Sequence, residues 1–441
     1  MRHRILTLLV ATAALGAGLN ADAGQFIMRS RSSADSDALR QKYGLTEVRS
    51  IPHSGSDDIC VVTASTADDA QLKAAVLSDP LTLGFDDDRA VPLAESAPSS
   101  AALAQSTAAI LEGFGGQPPV LYFGNAVPAG FVTQPALSLV RLQAAQAIAT
   151  GAGVVAVIDT GVDPGHLALS GALIPGYDFV NGVDGIPTDW AEIQQSTAAI
   201  LEQFGAQDSV AILNQSTAAI LEQSTAAILE SSQLPEAFGH GTMVASLVHL
   251  VAPTALIMPI KAFRADGSAE LSDLVAAIYY AVDNGANVIN MSFTLVAPST
   301  ALYDAIAYAA NHQVLCVAAV GNGGVQSTDY PASWPGVVAV ASTSMTDRRS
   351  TFSNWGSRVD ISAPGEALIV AYPGNHYAAA WGTSFSTALV SGTAALIGQY
   401  RPGLSESSML KILEEGADVP SCLGKARLDI YRALLEMFER M

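Results

Sequence analysis

Residues 154–163 read VVAVIDTGVD. Five apolar residues, four of them β-branched, run without alternation and stop abruptly at Asp159-Thr160-Gly161. A half-buried strand would alternate apolar with polar, so this pattern predicts a short strand buried on both faces, as in parallel sheets covered by helices. Four more runs of the same kind follow: LIMPIKAF (256–263), NVINMSF (287–293), VLCVAAV (314–320) and VVAVAS (337–342). Between them lie helical patterns. SDLVAAIYYAVDNG is expected to start at an N-cap Ser272 and stop at Gly285, and STALYDAIAYAANH (299–312) follows. Strands alternating with helices from about Leu139 onward predict an α/β domain with a doubly wound, mostly parallel sheet.

In such sheets chemistry sits beyond the carboxyl ends of the strands. Four polar residues stand there: Asp159 closing VVAVID, His240 in Gly-His-Gly-Thr, Asn322 after VLCVAAVG, and Ser384 in Gly-Thr-Ser at the head of an apolar helix. Singly, each is explained by a turn or a helix cap. Together, Asp, His and Ser are the groups that nucleophilic acyl transfer needs: a hydroxyl to attack, an imidazole to take its proton, and a carboxylate to orient the imidazolium. An imidazole acting as base predicts a rate that rises with pH through its ordinary range, about 6.5.

VAVIDTGVD, GHGTMVAS, VINMSF, AAVGNGG and GTSFSTALVSGTAAL, in that order, resemble the subtilisin-like serine proteases (subtilases, peptidase family S8), from about Leu139 to Leu434. The resemblance implies a triad of Asp159, His240 and Ser384, with Asn322 donating to the oxyanion. It also implies that Ser292, Phe293 and Thr294, and Ala319, Val320 and Gly321, are edges between which a peptide lies as an added strand. Met243, Ser246, Thr294, Phe385, Ser386, Ala388 and Leu389 depart from the family pattern. Bulk at Thr294 is expected to favour small substrate side chains. The chemistry needs no cofactor. Structural calcium is frequent in the family, but no ligands for it can be placed residue by residue.

The chain is expected to divide into a signal peptide (1–23), a propeptide-like α+β domain (24–95), a linker carrying a first repeat (96–138) and the catalytic domain (139–441), with a repeat insertion at about 190–235. Arg2 and Arg4 before the apolar run from Ile5, then Ala21-Asp22-Ala23, read as an export signal, so the protein is expected to be secreted, extracellular or periplasmic. QFIM, ICVVTAS and the one helical stretch DDAQLKAAVLSD suit a small domain, and DDDRAVPL resembles the final strand of a family propeptide that inhibits until it is cut. Self-cleavage is expected between Leu93 and Gln117. With 21 Lys and Arg against 41 Asp and Glu, the net charge of −20 disfavours nucleic acid and anionic membranes. The expected partners are polypeptide substrates and the chain's own propeptide, with no membrane anchor. Cys60, Cys316 and Cys422 are too few for a disulfide scaffold, and Cys316 reads as a small buried hydrophobe. A second Asp-Thr/Ser-Gly, a His-Glu-x-x-His and a phosphate loop are all missing, which argues against aspartic-protease, zinc and nucleotide chemistry.

One word recurs. QSTAAILE begins at Gln105, Gln195, Gln215 and Gln223, and lengthens the interval from Asp159 to His240. Eight residues is a whole number of strand repeats, whereas a helical stripe would drift by roughly 80° per copy, so extra β-strands are expected; the Ala-rich composition argues the other way. The copies are expected to pair with one another in a small sheet remote from the cleft, able to self-associate through an open edge. The competing function is a catalytically inert scaffold of this fold that displays the repeats for binding or adhesion.

Overall fold

The computed structural model describes residues 24–64, 69–93, 118–193, 210–211, 218–220 and 235–441. The expected signal peptide, most of the expected linker, and the repeats at Gln105, Gln195 and Gln223 lie outside them.

The N-terminal unit runs β1 (Gln25–Ser30), α1 (Ser33–Tyr43), β2 (Leu45–Ser50), β3 (Asp58–Ala64), α2 (Asp69–Leu77), β4 (Thr82–Asp87) and β5 (Ala90–Pro92). The first four strands make an antiparallel sheet in the order β2-β3-β1-β4. Strands β1 and β3 are apolar on both faces for a reason. Phe26, Met28, Cys60 and Val62 point into the unit's own core with Leu39, Leu72 and Val76, while Ile27, Ile59 and Val61 point into the core of the larger unit. Helix α1 is a second helix where one was expected: only Leu39 and Ser36 are buried on it, too few apolar residues to show a stripe, and it is secured by a Ser32 cap.

The larger unit adds, in chain order, β6 (Val154–Asp159), β7 (Gly176–Asp178), β8 (Val183–Gly185), α3 (His240–Val251), β9 (Leu256–Lys261), β10 (Ser268–Glu270), α4 (Leu271–Asp283), β11 (Val288–Met291), α5 (Thr300–Asn311), β12 (Leu315–Ala319), β13 (Val337–Thr343), β14 (Ile361–Pro364), β15 (Leu368–Tyr372), β16 (His376–Ala380), α6 (Thr383–Gly398), α7 (Glu406–Leu413) and α8 (Ile430–Glu439). Its main sheet has the order β8-β7-β9-β6-β11-β12-β13-β14, parallel except for the edge strand β8. Val155 and Val157 pack into one core with α3 and α6, and Ala156 and Ile158 into the other with α4 and α5. This is the doubly wound arrangement expected. Cys316 is fully buried and its thiol is pushed up to about 12 by burial.

Three expectations are corrected. Residues 120–138 are not linker: Phe131, Ala136 and Leu137 belong to the core, and the Gln134 side chain donates to Ile369 O and accepts from Ile369 N, each at 2.8 Å. Helix α4 starts at Leu271, so Ser272 lies inside it, and its capping carboxylate comes from Asp88 across the domain boundary. In the repeat at Gln215, Ala218–Ile220 is extended, but it pairs antiparallel with Ala378–Ala380 of β16, which leads straight to the Gly382–Ser384 turn, and is therefore not remote from the cleft. An unpaired strand edge offers backbone donors and acceptors to any neighbour, whatever its sequence.

Candidate active site

Strand β6 is the switch point: the chain lays β7 and β9 on one side of it, then crosses to β11 on the other. Asp159 ends β6 there, 1% exposed, and both its carboxylate oxygens face His240 Nδ1, at 2.8 and 2.9 Å. An ionised carboxylate only accepts, so Nδ1 carries the proton and Nε2 is the basic nitrogen of the neutral ring. His240 opens α3, and Gly241 explains how the two elements come so close: a Cβ there would lie 2.0 Å from Gly161 O.

Behind this pair is a fully buried network absent from the sequence reading. Asp189 accepts from Thr160 Oγ1 at 2.6 Å and from the Thr242 hydroxyl, and Gly241 N donates to Thr160 Oγ1 at 3.0 Å. One carboxylate thus ties the residue after Asp159 to the residues after His240. Burial pushes the Asp189 carboxyl up, while the two hydroxyls and the nearby Lys261 ammonium pull it back. Lys261 donates to Thr160 O at 2.7 Å and Phe263 O at 2.9 Å and pairs with Glu192 at 2.7 Å. A lysine closing the apolar strand LIMPIK was the available signal, since a buried ammonium needs such partners.

Ser384 is the second residue of α6, after Gly382 at φ 154°, a conformation L side chains rarely adopt. Its hydroxyl donates to Ser292 O at 3.4 Å, and the Phe385 ring lies 5.6 Å from the His240 ring, which brings the nucleophile candidate beside the pair. A polar chain binds this helix to β11: Ser391 Oγ donates to Asn290 Oδ1, Asn290 Nδ2 to Ser292 Oγ (both 2.9 Å), and Ser292 Oγ to Ser384 O (3.2 Å). Asn322 Oδ1 accepts from Thr383 N at 2.9 Å and Thr383 Oγ1 at 2.8 Å, so the amide is oriented with Nδ2 as its donor. The departures from the family pattern are accommodated locally: Ser246 Oγ donates to Met243 O and accepts from Ala371 N, and Ser386 Oγ donates to Ala363 O.

The N-terminal tail lies between two segments of the larger unit. Phe293 pairs with Leu93, the last described residue of the N-terminal tail. On its other side the tail strand β5 runs antiparallel to β10, Ala90 to Glu270, Val91 to Ala269 and Pro92 to Ser268. Val320 O and Gly321 O are engaged by Asn354, at 3.1 and 2.9 Å. Thr294 is half-buried just beyond Phe293. Among the described residues, no group of three or more His, Cys, Asp or Glu side chains is placed to hold a metal ion, and no helix is long and apolar enough to cross a membrane.

A buried Asp–His pair at the switch point, with a serine on a helix N-terminus, is the arrangement of a serine hydrolase built on an α/β sheet. The chain belongs to the subtilase family, whose model matches residues 151–429, and with it to the subtilisin-like serine endopeptidases. Thermitase of Thermoactinomyces vulgaris is 33% identical over 301 residues, 67% of this chain and 94% of thermitase. The thermophilic serine proteinase of Bacillus sp. (strain AK1) is 34% identical over 284 residues, 64% of this chain but 61% of that protein. Among solved structures, a protease of Pseudoalteromonas arctica PAMC 21717 aligns with TM-score 0.54 and 26% identity, over 68% of this chain and 94% of that one. A lanthipeptide protease shares the fold, with TM-score 0.53 and 22% identity over 69% and 95%.

Proposed function

We propose that this chain is an exported serine endopeptidase, made as a precursor that its own N-terminal unit inhibits and that cuts itself free. The observation that carries the reading is the Asp159–His240 pair beside Ser384, with the Asn322 amide held by Thr383. Ser384 Oγ attacks the substrate carbonyl carbon as His240 Nε2 takes its proton. Asp159 stabilises the imidazolium, and Asn322 Nδ2 donates to the oxyanion. The α6 N-terminus adds the positive end of its dipole beside the same charge. His240 then returns the proton to the leaving amine, and water resolves the acyl-enzyme.

Inhibition is supported by the tail. Val91 and Leu93, both at most 5% exposed, lie in the groove as an added strand beside β10 and Phe293, where a substrate would lie. Polypeptides and this tail are the partners. The reading requires no cofactor; a structural calcium is compatible with it but unassigned. The strand Ala218–Ile220 on β16 makes the repeat a flank of the cleft, and its other copies candidates for strand pairing between molecules. Expression with the leader should give export, and a fluorophosphonate probe should label the mature enzyme at Ser384. Ser384→Ala should lose both labelling and hydrolysis of casein; full hydrolysis by that variant would overturn the assignment, leaving the inert-scaffold alternative if the wild type is inactive too.

A further inference from the structure

Asn322 is followed by a glycine, as are Asn181 and Asn284. An asparagine loses its side-chain nitrogen when the backbone nitrogen of the next residue attacks the side-chain carbonyl carbon, and glycine, having no Cβ, crowds that attack least. The reaction needs an attacking nitrogen not engaged elsewhere and a polarised carbonyl. Gly285 N donates to Val282 O at 3.1 Å, which withholds the attacking group from Asn284. Asn181 Nδ2 donates to Asp178 Oδ2 at 2.8 Å, but among the described residues nothing donates to its Oδ1. Asn322 meets both conditions. Thr383 N and Oγ1 donate to Asn322 Oδ1 at 2.9 and 2.8 Å, the paired donation that stabilises charge developing on a carbonyl oxygen under attack. The Gly323 N–H has no partner among the described residues, and Gly323 is exposed in a bend outside helix and strand, where water reaches it.

We propose that Asn322 is a site of spontaneous deamidation and, resting on the reading of this chain as a serine endopeptidase, that this reaction limits the working life of the enzyme. Gly323 N bonds to Asn322 Cγ, its proton departs with the side-chain nitrogen as ammonia, and a cyclic succinimide remains. Water then opens the ring at one carbonyl or the other, giving aspartate or isoaspartate. Either product carries a carboxylate, which accepts hydrogen bonds and donates none. The Nδ2 donor to the oxyanion is lost, and a negative charge stands in its place. Because the attacking nitrogen must give up its proton, the reaction accelerates as pH rises, under the same conditions that keep the His240 imidazole neutral.

The test incubates wild type and Ser384→Ala, which removes self-digestion, in mildly alkaline buffer and follows both by peptide mapping. In Ser384→Ala the peptide holding Asn322 should gain the mass difference between OH and NH2 before the peptides holding Asn181 and Asn284 do. In the wild type, peptide hydrolysis per intact chain should decline in step with the fraction of Asn322 converted, toward the level of an Asn322→Asp variant. Gly323→Ala separates this chemistry from general decay. Position 323 is outside the left-handed region, and a Cβ there would meet only Asn354 Oδ1 at 3.2 Å and Val325 Cγ2 at 3.5 Å. That variant should start at the wild-type rate and convert roughly tenfold more slowly, since the Cβ crowds the attacking nitrogen. Conversion of Asn181 or Asn284 first, or activity per intact chain that falls while Asn322 stays unconverted, overturns the proposal and leaves the endopeptidase reading standing. A fresh wild type with neither probe labelling nor peptide hydrolysis overturns the endopeptidase reading and the limit on working life with it, while the mass of the Ser384→Ala peptide still decides whether Asn322 deamidates.

Discussion

Asn322 spends its side-chain oxygen on Thr383, a residue away from the proposed nucleophile Ser384, and this holds its NH2 group in place. Preorganisation is what makes such a donor effective, because a fixed dipole needs no reorientation as charge develops. Asn322→Ala should lower kcat by about 10²–10³, a scale that comes from subtilisin itself, with KM little changed; stopped-time assays on a peptide ester and amide would check the split. A loss confined to KM would mean that the amide binds the ground state instead. Asp189 works one layer further out. Through Thr160, Gly241 and Thr242 it sets the spacing on which the 2.8 Å contact between His240 and Asp159 depends.

Among the elements, the acidic run Asp86-Asp87-Asp88 explains how a small domain finds its seat. In β4 and just beyond it, Asp86 and Asp88 fall two residues apart, on one face of an extended chain. Asp86 accepts from Ala301 N at the start of α5, and Asp88 from Ser272 N at 2.9 Å at the start of α4. Two helices of the larger unit are thus capped by carboxylates of the smaller, at ends where unpaired N–H groups and the dipole favour negative charge. Arg49 adds an ion pair to Asp273 beside the second cap. In a Ser384→Ala precursor, Asp88→Ala should destabilise the fold by about 1 kcal/mol, seen as a lower denaturation midpoint. An unchanged midpoint would reduce the cap to a surface contact. The sequence shows the acidic run but not its purpose, since a solvated acidic turn has the same composition. Only the docking of β4 across α4 and α5 distinguishes the two.

At the scale of the molecule, burial sets the response to acid. His249 lies on α3 with its Nδ1 unpaired, and burial pushes the imidazole down to about 4 from its ordinary 6.5. Between those values the unfolded chain binds a proton that the folded one refuses, so this group's contribution to stability is full above about 6.5 and is lost progressively as pH falls toward 4. Asp273 and Asp360 act oppositely: burial raises both to about 6, so the folded chain holds their protons longer, and their contribution declines as pH rises from about 4 to 6. Comparison with a His249→Leu variant isolates the histidine. In a Ser384→Ala background, the stability of parent minus variant should fall on going from pH 6.5 to 4.5 by urea denaturation. A difference independent of pH would show that His249 does not titrate in that window.

The sequence by itself determined five of the eight strands of the main sheet, the helices α4, α5 and α6 that cover them, and the four polar residues at the strand and helix ends. Strands buried on both faces must be apolar almost throughout, and the polar residue that stops each run is conspicuous because nothing around it is polar. These are local signals. Tertiary structure alone decided that β5 lies along β10, that Asp189 joins Thr160 to Thr242, that α4 takes its cap from Asp88, and that Leu93 faces Phe293. Each joins positions far apart in the chain, apart from the Asp189–Thr160 bond, largely through backbone N–H and carbonyl groups that every residue carries. Pairings of that kind leave no mark on residue type, so they come into being only when the sheet and the docked N-terminal unit bring those edges together.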